Sequence, residues 1–422
     1  MNLDRYGDLA VRVALNLQPG QRLLIIGPLV NGGVALEAAP LVHAVTAAAY
    51  RAGAELVEAI WGDQAMMQTR FREGRRESLT AVSRWLPHAL QAHAAAGGAL
   101  LSIYANDPDL LSHEPSDIVG ALQQAVSREL APFRSHISKN DTNWGVIAGA
   151  ERTWAAKVFP DAGDADGVAR LWAAIARLCR LDQPDPLAAW DVHLKHLAER
   201  SAFLNAKHYS ALQFRGPSTD LRVGLPAGHV WVSGQSVSRT GIPFVANIPT
   251  EEVFTIADRA RVDGTVRATK PLSYGGTMIE DFELTFKDGR VVALSAARGE
   301  AALRQLVSTD DGAGRLGEVA LVPHGSPIAQ SGLLFYNTLF DENAASHVAL
   351  GTAYKFTLSG GETMDEDAFA RAGGNRSAVH VDFMIGSGEV DVAGITSTGS
   401  SEPVMRAGEW VDSPMPERPT PL

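Results

Sequence analysis

A chain of 422 residues is too long for one ordinary hydrophobic core, so two domains are expected. With 45% hydrophobic and 20% charged residues it is composed like a folded globular protein rather than a disordered one. A formal charge of -11 with no basic run excludes nucleic acid as a partner, and a lone cysteine, Cys179, excludes an intrachain disulfide and a thiolate zinc site.

The opening MNLDRYGDLAVRVALNL carries acidic residues and no basic start before an apolar core, so no secretory leader is expected. No stretch approaches the length of apolar sequence that crosses a bilayer, so no membrane partner is expected and a cytoplasmic location fits. Asp4 to Leu17 has helical spacing and ends at Pro19-Gly20. Residues 22–27 then read as a short buried strand, 35–52 as an alanine-rich helix stopped by Gly53, and 55–61 as a second strand. That unit implies a parallel pair joined by a right-handed crossover. It recurs in the strand 99–104 and the helix around 118–130. An α/β N-terminal domain with an open, largely parallel sheet is therefore predicted. The turn GPLVNGG lacks the glycine spacing of a dinucleotide site, and no phosphate-binding loop occurs, so the domain reads as scaffold or substrate wall.

Cys179, in LWAAIARLCRL, reads as a small buried hydrophobe. The segment LDQPDPL, 181–187, marks a boundary and divides the chain into 1–184 and 185–422. A helix over 188–205 follows, where Asp191, His193 and His196 read as a solvated face rather than a metal cluster. From Tyr209 short strand-like runs dominate, among them FELTF and RVVAL around the tight reversal Lys287-Asp288-Gly289-Arg290. Helical stretches are expected at Glu300–Thr309 and Asn343–Ala349. The second domain is thus α+β with a mixed or antiparallel sheet, and SPMPERPTPL reads as a loose tail.

Neither a helix-borne H-E-x-x-H zinc motif nor a G-x-S-x-G nucleophile elbow is present. In VHVDFMIG, strand alternation sets His380 and Asp382 on one face. They are either a hydrogen-bonded core pair or metal ligands. His347 and Tyr354 stand seven residues apart, two turns if the helix continues. Glu251 and Glu252 precede the strand-like VFT, and Glu318 sits among apolar neighbours, where a carboxylate calls for a cation. Three carboxylates, two imidazoles and a phenol suit a pair of divalent ions that activates water and clamps a carbonyl.

The segments NIPTEEVFT, TKPLSYGGTMIEDFELTFKDGRVV, LGEVALVPHGSPIAQSGLLFYNTLFDENAASHVALGTAY and HVDFMIGS resemble the thermophilic aminopeptidase family, that of aminopeptidases T and S. The likeness spans nearly the whole chain. It implies a C-terminal dimetal catalytic domain, a homodimer, and release of N-terminal amino acids from peptides, with zinc, cobalt or magnesium as the metals. Carried over, the ligands are Glu252, Glu318, His347, Tyr354, His380 and Asp382, and each keeps the expected residue type. The family's proline after EEVFT is replaced by Ile256-Ala257-Asp258, which touches no ligand.

On that reading Glu318 is the expected bridging ligand, since a carboxylate offers one oxygen to each cation. Glu251 or Glu342 serves as general base, against strand-end solvation and helix-start charge as the plain structural readings. Tyr336 and His324 line the substrate pocket, or are a packed ring and a turn histidine. Two other functions stand beside the aminopeptidase. A dimetal hydrolase of a non-peptide amide or ester would accept N-terminally blocked substrates. A non-catalytic metal-binding relative would have lost a ligand, and none is lost.

Overall fold

Apolar strands alternating with alanine-rich helices bury both faces of a sheet, and the start of the chain folds accordingly. In the computed structural model, which describes residues 1–28, 32–274 and 277–411, the parallel strands Val57–Ala59, Leu23–Ile26, Ala99–Tyr104 and Trp144–Ala148 lie side by side in that order. The helices Ala39–Arg51, Trp85–Ala95 and Ser116–Ser138 supply the crossovers. The first helix, Leu3–Leu9, continues as a π-helical turn over Ala10–Ala14. Part of the turn GPLVNGG and the proline-rich tail fall outside the described residues.

The chain divides into two units, residues 1–194 with 235–249, and 195–234 with 250–422. The first unit thus includes a late hairpin, Gln235–Val237 with Pro243–Val245, whose buried Phe244 lies 6.0 Å from the ring of Trp144. The chain leaves this unit within the helix Pro186–Lys207. There His193 accepts from Arg180 at 3.0 Å and meets the edge of Trp190, a packing role. Cys179 is buried.

Among the described residues, the second unit holds two sheets. A nine-stranded sheet runs from Leu272–Tyr274 to Glu409–Trp410 and contains the long hairpin Thr277–Lys287 and Arg290–Arg298. Its reversal is at Asp288-Gly289, both with positive φ, as a two-residue turn of that hand requires. A five-stranded sheet has the order His380–Met384, His347–Gly351, Leu316–Leu321, Val253–Ile256, Val232–Ser233, antiparallel throughout. One core draws on both sheets, with Phe282 and Phe383 5.4 Å apart.

The helix expected over Asn343–Ala349 is not formed. Residues Glu342–Ala344 make a single 3-10 turn, and His347–Gly351 is a fully buried strand paired on both edges. Two ladders of backbone hydrogen bonds outweigh the alanine content that favoured a helix. His347 and Tyr354 therefore do not share a helical face.

Candidate metal centre

Alternation in the five-stranded sheet gathers the polar side chains. Ile256 lies opposite Glu318, Glu318 opposite Ala349, and Ala349 opposite Asp382. Two residues along, and so on the same face, the row reads Phe254, Ala320, His347, Met384. Gly351 stands opposite His380. Ala349 and Gly351, the smallest side chains available, thus sit amid the polar ring and leave it open. Glu252 enters from the residue before Val253.

The result is two triads that share one residue. Glu252, Glu318 and His347 form the first, and Glu318, His380 and Asp382 the second, with donor atoms in each triad within 4.8 Å of one another. His347 Nε2 lies 3.1 Å from Glu252 Oε2 and 3.7 Å from Glu318 Oε1. His380 Nε2 lies 3.7 Å from Glu318 Oε2 and 3.4 Å from Asp382 Oδ1. Glu318 therefore turns one oxygen to each imidazole. Both rings are oriented from behind, since His347 Nδ1 meets the Ala345 carbonyl at 3.0 Å and His380 Nδ1 the Thr352 carbonyl at 2.8 Å. Nδ1–H donated to those carbonyls turns Nε2 toward the carboxylates, where it carries a proton in the absence of a cation and, with that proton displaced, offers the lone pair of a metal-binding histidine.

The electrostatics match this crowding. Burial raises the carboxyl of Glu318. Burial, together with repulsion from Glu252 and Asp382, lifts the carboxyl of Glu342 well above the carboxylate range, and the 3-10 turn that carries it packs on the strand His380–Met384. Burial alone would lower both imidazoles. Hydrogen bonds to Glu252 and Glu318 instead carry His347 well above its usual value, and the charge of Asp382 carries His380 to about 10. Tyr354 is pushed up by burial and by the charges of Glu318 and Asp382, and its ring packs 4.9 Å from that of His380. A group of carboxylates that raises its histidines so far is a strong cation trap.

The structure thus brings Glu252, Glu318, His347, His380, Asp382, Tyr354 and Glu342 into one place. Glu251 is buried beside it, and its backbone N–H donates to Asn343 Oδ1 at 2.7 Å. His324 packs instead against Gly388 and Gly408 in a turn. Tyr336 adopts the left-handed conformation, with φ 54°, in a turn held by Asp341, which accepts from Phe335 N at 2.8 Å and Asn337 N at 3.0 Å. Neither belongs to the triads. Sequence reasoning missed Asn343, a fully buried side chain that ties the Glu251 backbone to the Leu339 carbonyl. Its only signal was an asparagine next to Glu342, which equally suits a helix cap.

A family model described as thermophilic metalloprotease matches residues 1–410. Aminopeptidase 2 of Geobacillus stearothermophilus is 45% identical over 408 residues, 97% of either chain. Aminopeptidase T of Thermus thermophilus is 44% identical over 410 residues, 97% of this chain and 98% of that one. Aminopeptidase AmpS of Bacillus subtilis is 40% identical over 408 residues, again 97% of this chain and 98% of that one. The solved structure of wild-type AmpT from Thermus thermophilus superposes with a TM-score of 0.90 at 43% identity, covering 97% of this chain and 99% of that chain.

Proposed function

Because this chain belongs to the thermophilic metalloprotease family and is a metal-dependent aminopeptidase, we propose that it removes the first residue from peptides at a centre of two divalent ions. The observation that carries the second ion is the pair of triads sharing Glu318, whose two oxygens face opposite imidazoles. One ion would be held by Glu252, His347 and Glu318, and the other by Glu318, His380 and Asp382, with the Tyr354 hydroxyl completing the set. The mixture of imidazole and carboxylate donors fits zinc or cobalt better than magnesium, which prefers oxygen alone. When bound, the ions supply a nucleophilic water at neutral pH and polarise the scissile carbonyl.

The chain's own groups do the rest. Glu342, a buried carboxyl whose neighbours Glu252 and Asp382 are ligands of the proposed centre, takes the proton of the attacking water and returns it to the leaving amine. Glu251, the other candidate base, is given the positioning of Glu252, because its backbone is fastened to Asn343. The Ala345 and Thr352 carbonyls hold the imidazoles in the tautomer that ligates. Substrates carry a free N-terminus. The active form is a homodimer and works in the cytoplasm, where a single cysteine needs no partner. Among the described residues, no helix is long and apolar enough to cross a membrane.

The test is hydrolysis of a short peptide panel, free and N-acetylated, by metal-stripped protein reloaded with zinc or cobalt, beside His380→Ala. Release of the first residue from free peptides alone, lost in the variant, is expected. Two bound ions with every free peptide left intact would sink this reading.

A further inference from the structure

From the geometry beside the metal centre we infer that Phe254 and Phe356 form the wall that receives the side chain of the substrate's first residue, and that this subsite selects apolar and aromatic side chains. The inference rests on the metal-centre reading above and adds its substrate class.

Phe254 shares a cross-strand row with His347, with only Ala320 between them, so its ring rises from the ligand-bearing face of the sheet. Phe356 follows Tyr354 by two residues in a 3-10 turn and stacks on it, centroids 5.3 Å apart and planes 21° from parallel. Phe254 closes the group edge-on, 6.3 Å from Tyr354 and 6.2 Å from Phe356. Tyr354 in turn packs 4.9 Å from the ring of His380. The two phenylalanines thus stand one further ring beyond a residue that touches the metal centre. A side chain borne on the Cα next to a carbonyl held at that centre would meet them.

Burial separates this group from ordinary core. Val253, Thr255, Ile256 and Thr357 are buried, whereas Phe254 and Phe356 between them are only half-buried. Rings that keep exposed faces beside a charged centre present apolar surface to whatever enters. Their offset and edge-on contacts hold them rigid, so an apolar side chain docks without ordering the wall. A charged side chain finds there no partner for its hydration shell.

The experiment uses the full-length, metal-loaded enzyme and aminoacyl substrates that differ only in the first side chain: leucine, phenylalanine, alanine and glutamate. In Phe254→Ala and Phe356→Ala the ratio of kcat/KM for leucine or phenylalanine over alanine is expected to fall about tenfold or more. Phe254→Leu and Phe356→Leu, which keep apolar volume, should restore most of the leucine preference. An equal loss on every substrate would overturn the inference and leave the rings as mere supports for Tyr354. The two readings fail separately. A selectivity unchanged by truncation overturns the wall whatever the metal content, and fewer than two bound ions in the wild type counts against the dimetal centre whatever the selectivity.

Discussion

At Ala349 a single methyl group stands between Glu318 and Asp382 in the ladder, so a larger side chain there would compete for space with an ion held by those carboxylates. Ala349→Val suits a strand and keeps the residue apolar, so the fold should tolerate it at a cost of about 1–3 kcal/mol. Metal affinity should fall at least about tenfold, which 1.4 kcal/mol of lost ligation would produce. Metal titration followed by peptidase activity checks it, and unchanged affinity would remove Ala349 from the site. Asp341 offers a test in pH. Burial drives its carboxyl up from an ordinary 3.8 to about 6, although backbone N–H groups of Phe335 and Asn337 oppose the shift. The folded chain therefore holds a proton that the unfolded chain releases near pH 4, and stability falls as pH rises through that window. A shift of this size is worth about 3 kcal/mol. Asp341→Asn has no such titration, so the variant should gain that much on the wild type between pH 4 and 6 and nothing above. Urea unfolding of both proteins across the range measures the gap, and a constant difference would refute the argument.

The strand His347–Gly351 is the element on which the centre turns, because it carries His347 and separates the strands of Glu318 and of His380 with Asp382. It ends at Gly351, with φ 107° and a position where a Cβ would lie 2.0 Å from the Val379 carbonyl oxygen. Gly351→Ala must therefore push the His380 strand away. Loss of the second triad's ion, with the first retained, is the expected result, read as metal stoichiometry falling from two to one. Much of this element's surroundings was legible in sequence. Period-two alternation alone placed His380 and Asp382 on one face, the Asp288-Gly289 reversal was plain, and the strand-helix-strand texture gave the parallel sheet. The strand at His347 was not legible. Alanines and a preceding Asp-Glu-Asn read locally as a capped helix, and the pairing that decides otherwise comes from residues about thirty positions away on either side. The ligand set was recognisable through family likeness. Glu318 was also expected there as the shared residue, whereas the orienting carbonyls of Ala345 and Thr352 exist only once the strands are laid side by side.

For the whole molecule, both candidate metal triads lie in the second unit, so metal binding should stabilise that unit by mass action. Hydrogen exchange on loaded and chelated enzyme should show added protection in Val253–Ile256, Leu316–Leu321, His347–Gly351 and His380–Met384. The parallel strands of the first unit, Leu23–Ile26 and Ala99–Tyr104, should be unaffected. Uniform protection across both units would mean that the ions stabilise more than their own sheet. The first unit is also discontinuous, completed only by residues 235–249. On the ribosome, which delivers the chain from its N-terminus, Trp144 therefore waits for Phe244 until the polypeptide has already begun its second unit. The same vectorial order reaches the ions. A nascent chain halted between His347 and His380 owns the first triad but lacks two members of the second, so the order of translation would also be an order of capture for the two ions proposed.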